Sequence, residues 1–128
     1  MAVESIEQAH DAFYRALGLI FQGDTDAMAE VWSHADDITY MGPLGHLLVG
    51  WSSISKSWAE QARTITGGPV VPEEVRFFRS TDLGVVVGFE RGAIQVGSES
   101  QTVDIRATST YRCEAGQWRM IGHHTDGV

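Results

Sequence analysis

Basic residues and cysteine are scarce in this chain. Of 128 residues, nine are Lys or Arg against 17 Asp or Glu, and Cys113 is the one cysteine. A formal charge of -8 repels phosphate backbones, which argues against nucleic-acid binding and is otherwise read as a solubility feature. A single cysteine excludes an internal disulfide and suits a reducing compartment. No apolar run reaches the ~18 residues that a membrane span needs. Residues 1–8 carry Glu4 and Glu7 and no basic segment leading into an apolar run, so no signal peptide is expected and the chain reads as cytoplasmic. There is no HxxxH, HxH or CxxC spacing, hence no expected metal site, and no cofactor is implied. Internal repeats and low-complexity tracts are absent as well.

What is present is an ordinary globular balance, 43% hydrophobic and 20% charged. Ile6, Ala9, Phe13, Leu17 and Ile20 recur at steps of three and four, which predicts a helix over 3–22 stopped by Gly23. Asp24 is placed as the cap of a short second helix ending near Ser33. Two short strands, 37–41 and 46–49, flank the turn Gly42-Pro43-Leu44-Gly45. A third helix is expected with Ser52 or Ser53 as cap and Gly67-Gly68-Pro69 as its end. Segments 70–79, 83–96, 101–113 and 117–125 are rich in Val, Ile, Thr and aromatics and joined by short links, so they read as antiparallel strands. Helices first and strands afterwards give an α+β fold in one domain, residues 1–128. Gly84, Gly88 and Gly92 inside one strand predict strong bending of the sheet, and a bent sheet over helices leaves a small-molecule pocket.

Three stretches carry a resemblance. Trp32-Ser33-His34-Ala35-Asp36-Asp37-Ile38-Thr39-Tyr40-Met41-Gly42-Pro43 is similar to the segment joining the second helix to the first strand in SnoaL-like, ketosteroid-isomerase-homologue proteins. Gly50-Trp51 resembles the pair that opens their third helix. Arg106-Ala107-Thr108, then Tyr111-Arg112, Gly116, Trp118-Arg119 and His124, resembles their last hairpin. The resemblance implies an NTF2-like cone: three N-terminal helices packed on a strongly curved, mainly antiparallel sheet. It also implies a homodimer formed through that sheet. It says little about reaction, because the fold hosts many. Where steroid isomerases carry a helix-one tyrosine, a base before the first-hairpin proline and an acid on the penultimate strand, this chain has Ala16, Gly42 and Thr108, with Tyr14 near but out of register. Classical ketosteroid isomerase activity is therefore not expected.

Among candidate catalytic residues, His123 and His124 are adjacent on a strand and face opposite sides. If the Trp118 face is interior, His124 lines the pocket and serves as acid or base; its plainer reading is a hydrogen-bonded structural histidine. Glu90 and Arg106 are almost equally distant from a turn centred near Ser98-Glu99, which places them opposite each other. That is either a pocket-floor pair that orients a ligand or an ion pair that fixes register. Arg106 is the candidate for holding an anionic or carbonyl group. Trp32, Tyr40, Trp51, Trp58 and Phe89 are candidates for the pocket wall and His46 for its mouth, against a default of core packing for most of the aromatics. Two functions stay open: a module binding a small apolar or carbonyl-containing ligand, or a cofactor-independent isomerase, lyase or hydrolase.

Overall fold

A computed structural model of the chain describes residues 5–43 and 45–128. The first residues of the expected opening helix and Leu44 of the expected turn lie outside the described residues. Helix α1, Ile6–Ile20, starts where Ser5 accepts the Gln8 N–H at 3.1 Å and closes onto Gly23, whose φ is +88°. Its apolar stripe is the reason it forms: Ile6, Phe13, Ala16 and Ile20 are fully buried. Helix α2, Asp26–Val31, is shorter than expected. Thr25 holds the cap position, while Asp24 accepts the Asp26 N–H at 3.0 Å from one residue further out. The helix stops because Trp32 turns into a parallel bridge with Met120.

Strands β1, Thr39–Met41, and β2, Leu47–Val49, form the first hairpin. Helix α3, Trp51–Thr64, is capped by neither Ser52 nor Ser53, which lie inside its first turn. Gly50 takes the cap position with a φ of +86°, and its N–H is held by the Ile38 carbonyl at 2.8 Å. The helix also ends before the glycine pair: Ile65–Gly67 leaves it as strand β3 to pair with β5. The long strands β4 (Val70–Arg79), β5 (Leu83–Val96), β6 (Glu99–Glu114) and β7 (Gln117–Gly127) follow the pattern of the sequence closely.

One sheet runs β2-β1-β7-β6-β5-β3, with β4 on the same edge of β5 as β3; β1 and β7 are parallel and the other pairs antiparallel. The sheet bends where extra residues intrude. On β4, Glu74 and Val75 stand against Gly88 alone, and a side chain at Gly88 would meet the Glu73 carbonyl oxygen at 2.9 Å. On β7, Ile121 is an extra residue: Thr110 pairs with Gly122 but Tyr111 pairs with Met120. That bulge puts Met120 and His123, three residues apart, on the same inner face. The core between this face and the helices is built on Phe13, Met28, Trp32, Ile54, Tyr111 and Met120. Among the described residues no helix is long and apolar enough to cross a membrane.

Candidate functional site

The strand pairing decides which polar side chains enter the cone. β5 and β6 are paired so that Val96 meets Glu99, and the register then sets Glu90 against Ile105 and Phe89 against Arg106. The expected Glu90–Arg106 pair is therefore one residue out of step. A slip of one residue sends a side chain to the opposite face. Glu90 points inward and is 6% exposed. Arg106 lies on the outer face, where its guanidinium grips Asp126, its partner on β7, with Nε to Oδ1 at 2.8 Å. It is not available to an interior ligand.

The histidine expectation is corrected by the same logic. His124 lies on the outer face: it pairs with Thr108 and bonds Thr39 Oγ1 at 2.8 Å, fastening β1 to β7. Burial, with His123 next to it, shifts its pKa downward. His123 is the interior histidine, 2% exposed, because the Ile121 bulge reverses the alternation counted from Trp118. Its Nε2 donates to Glu90 Oε2 at 2.9 Å and its Nδ1 shares a hydrogen bond with Ser109 Oγ at 2.8 Å.

Tyr14, on α1, donates its O–H to the same Glu90 oxygen at 2.8 Å. Glu90 Oε2 is thus occupied twice, while Oε1 has no partner among the described residues. Burial alone would raise the Glu90 pKa. The charge and hydrogen bond of His123, the Tyr14 hydroxyl and His10 outweigh it and hold the group below the usual carboxylate range. Burial and the neighbouring carboxylate push Tyr14 upward, so it stays a neutral donor. Beside it, Tyr111 OH lies 2.9 Å from His10 Nδ1, and the His10 ring stands edge-on to Tyr14 with centroids 4.9 Å apart. Ser109, His123, Glu90 and Tyr14 form one hydrogen-bonded string through an apolar core, with the His10–Tyr111 pair packed against it.

A cavity of about 120 Å³ reaches this string from the other side, between α1, α3, β1 and the inner sheet face. Tyr40, Trp58, Gln61, Glu90 and His123 line it together with apolar side chains such as Phe13, Leu17, Val70 and Ile105. Tyr40 accepts from Gln61 Nε2 at 3.1 Å, which leaves its own proton unclaimed, and burial pushes its pKa up to about 12 despite that hydrogen bond. Trp58 Nε1 is buried without a partner among the described residues.

The other candidates from the sequence lie elsewhere. Trp32 is fully buried in the core behind Tyr40 and Trp58. Trp51 stacks on His34 with ring centroids 4.5 Å apart. His46 is exposed in the link between β1 and β2. Phe89 is on the outer face under Arg91, in a groove of about 540 Å³ that Arg106 and His124 also line. Of the residues singled out from the sequence, Glu90, Tyr40 and Trp58 come together at the cavity. His123, Tyr14, Ser109 and Gln61 were not assigned there. Tyr14, set aside on sequence as out of register with Ala16, reaches the site from α1, and only the bulge identifies His123. Among the described residues no three His, Cys, Asp or Glu side chains gather in a way that holds a metal ion.

His10 gives the site a pH signature. Burial, reinforced by the charge of His123, lowers its pKa to about 4 from 6.5, so the native state resists a proton that the unfolded chain takes readily. Stability is at its full value above the unfolded pKa and falls as pH drops from 6.5 toward 4, by about 3 kcal/mol at most at ~1.4 kcal/mol per unit. Urea melts of the wild type and His10→Gln at pH 7.5 and 4.5 should show a steeper loss in the wild type. Equal losses would mean that His10 titrates alike in both states.

A family model described as the SnoaL-like domain matches residues 6–125. A structure from Thiobacillus denitrificans, provisionally named a calcium/calmodulin-dependent protein kinase type II association domain, is 27% identical over 100% of this chain and 98% of its own, with a TM-score of 0.84. A structure from Streptomyces avermitilis, provisionally named a dehydratase from the NTF2-like family, is 21% identical over 98% and 95% of the two chains, with a TM-score of 0.85. An NTF2-like protein of unknown function from Pseudomonas putida KT2440 is 22% identical over 94% and 82%, with a TM-score of 0.79. Nothing among the curated proteins matches.

Proposed function

This chain belongs to the SnoaL-like domain family, and on that premise we propose that its cone interior binds a small, largely apolar carbonyl or hydroxyl compound and moves a proton on it without a cofactor. The observation that supports the reading is the unequal use of the Glu90 carboxylate. His123 and Tyr14 fix Oε2, and Oε1 remains as a base in a cavity where the Tyr40 O–H is an unclaimed donor. A carboxylate held ionised in an apolar site, with a neutral tyrosine to polarise the substrate oxygen, is the arrangement that proton abstraction next to a carbonyl requires. Tyr40 O–H supplies the polarising donor, and Glu90 Oε1 takes the proton. His123, backed by Ser109, orients Glu90. Elimination of water begins with the same abstraction, which is the chemistry that the provisional name of the Streptomyces avermitilis structure points to. Neither Ala16, Gly42 nor Thr108 carries an acid, so the reading is distinct from classical ketosteroid isomerase chemistry.

The test is hydrogen–deuterium exchange at the carbon next to the carbonyl of small cyclic ketones in D₂O, followed by NMR. The wild type should accelerate exchange, and Glu90→Gln, checked for folding by circular dichroism, should lose roughly 10²-fold or more of that acceleration. Ketones that bind and do not exchange would leave a non-catalytic binding module as the function.

A further inference from the structure

The size and polarity of the cavity go further and define the ligand. We infer that the cone interior takes an uncharged molecule of about one six-membered ring, bearing a single acceptor oxygen, and discriminates against anions and fused rings. The inference rests on the cone interior being the working site, as proposed above.

The volume, about 120 Å³, is slightly less than that of an engineered apolar cavity of ~150 Å³ that holds benzene. One ring fits within that volume, and a second exceeds it. The cavity wall is made by Phe13, Trp58 and Tyr40, whose rings pack with centroids 5.1 to 6.0 Å apart along the series, so expansion breaks aromatic contacts. The unclaimed proton of Tyr40, whose oxygen accepts from Gln61 Nε2, is complementary to an oxygen acceptor. A buried donor without an acceptor is costly, and a ligand oxygen relieves that cost. Charge selects in the same direction. Among the described residues no Lys or Arg lines the cavity, Glu90 does, and Arg106 is spent on Asp126 across the sheet. An anion would be desolvated beside a carboxylate. An ammonium ion would lose its hydration on entry and leave the Tyr40 O–H unsatisfied.

The experiment is calorimetric titration of the full chain with five probes: cyclohexanone, methylenecyclohexane, benzoate, cyclohexylamine and 1-tetralone. Cyclohexanone should bind at least tenfold more tightly than methylenecyclohexane, which has the same shape without the oxygen, and at least tenfold more tightly than the charged or two-ring probes. Tyr40→Phe should erase most of the margin over methylenecyclohexane; the pair of probes on the wild type carries the test if that variant folds poorly. Preferred binding of benzoate, cyclohexylamine or tetralone, equal binding of the two isosteres, or no binding at all would overturn the inference. Cyclohexanone that binds as stated without isotope exchange would defeat the proton-transfer reading alone. Tetralone that binds and exchanges through Glu90 would defeat this inference alone.

Discussion

Glu90→Ala is expected to cost 3–5 kcal/mol of unfolding free energy, a large part of the 5–15 kcal/mol typical of a domain. The carboxylate is 6% exposed and serves two donors at once. Its removal leaves His123 Nε2 and the Tyr14 hydroxyl buried with nothing to donate to, and opens a void next to Phe13. Most of the penalty belongs to the partners left behind, which gives the prediction a second part. Glu90→Leu combined with His123→Leu should be markedly less destabilised than the sum of the single changes, because the pair is then removed together. Urea denaturation of the wild type, Glu90→Ala, the two leucine variants and their double settles it. A cost under about 1 kcal/mol for Glu90→Ala would mean that water reaches the carboxylate and that the string is not a buried network.

The second large effect is steric. In Gly92→Ala the new carbon would stand 2.0 Å from the Pro69 carbonyl oxygen and 3.1 Å from Val70 Cα, at a residue whose φ is +149°. Those atoms are backbone and cannot turn aside. The same Pro69 oxygen accepts the Ala93 N–H at 3.1 Å, and Val70 pairs with Gly92 where β4 begins. The substitution must therefore push β4 off β5 beside the cavity, which Val70 lines. A loss above ~4 kcal/mol, or no folded protein, is the expected outcome on expression and thermal melting. Gly116→Ala is the control. Its φ is +80° but nothing lies within 4 Å, so only ~1–2 kcal/mol of backbone strain is expected. Similar losses in the two variants would show that the clash is relieved elsewhere.

These effects mark the boundary of what the sequence makes legible. The stripe from Ile6 to Ile20, the valine- and threonine-rich runs and the short links between them predict α1 and β4 to β7 within a few residues, because periodicity and turn chemistry are local. Gly88 and Gly92 were readable as points of bending, since a strand interior keeps glycine for close approaches. The ends of α2 and α3 were less readable: Trp32 is captured by β7 and Ile65 by β5, and both captures are tertiary. The site depended on registers that no local pattern fixes. A hairpin centre displaced by one residue separates Glu90 from Arg106, and one extra residue on β7 moves the interior role from His124 to His123. Tyr40 and Trp58 do line the cavity, because they sit on β1 and α3, elements that local patterns locate.

The bulge at Ile121 also has an evolutionary reading. Insertion or loss of a single codon there exchanges which of two neighbouring side chains faces the cone interior, with both histidines left in the gene. Homologues aligned column by column through the last strand will therefore equate an interior histidine in one protein with an exterior one in another wherever the bulge is not shared. Transfer of a catalytic histidine across such an alignment has to be anchored upstream, on the strand partner Ser109, rather than on the histidine pair itself.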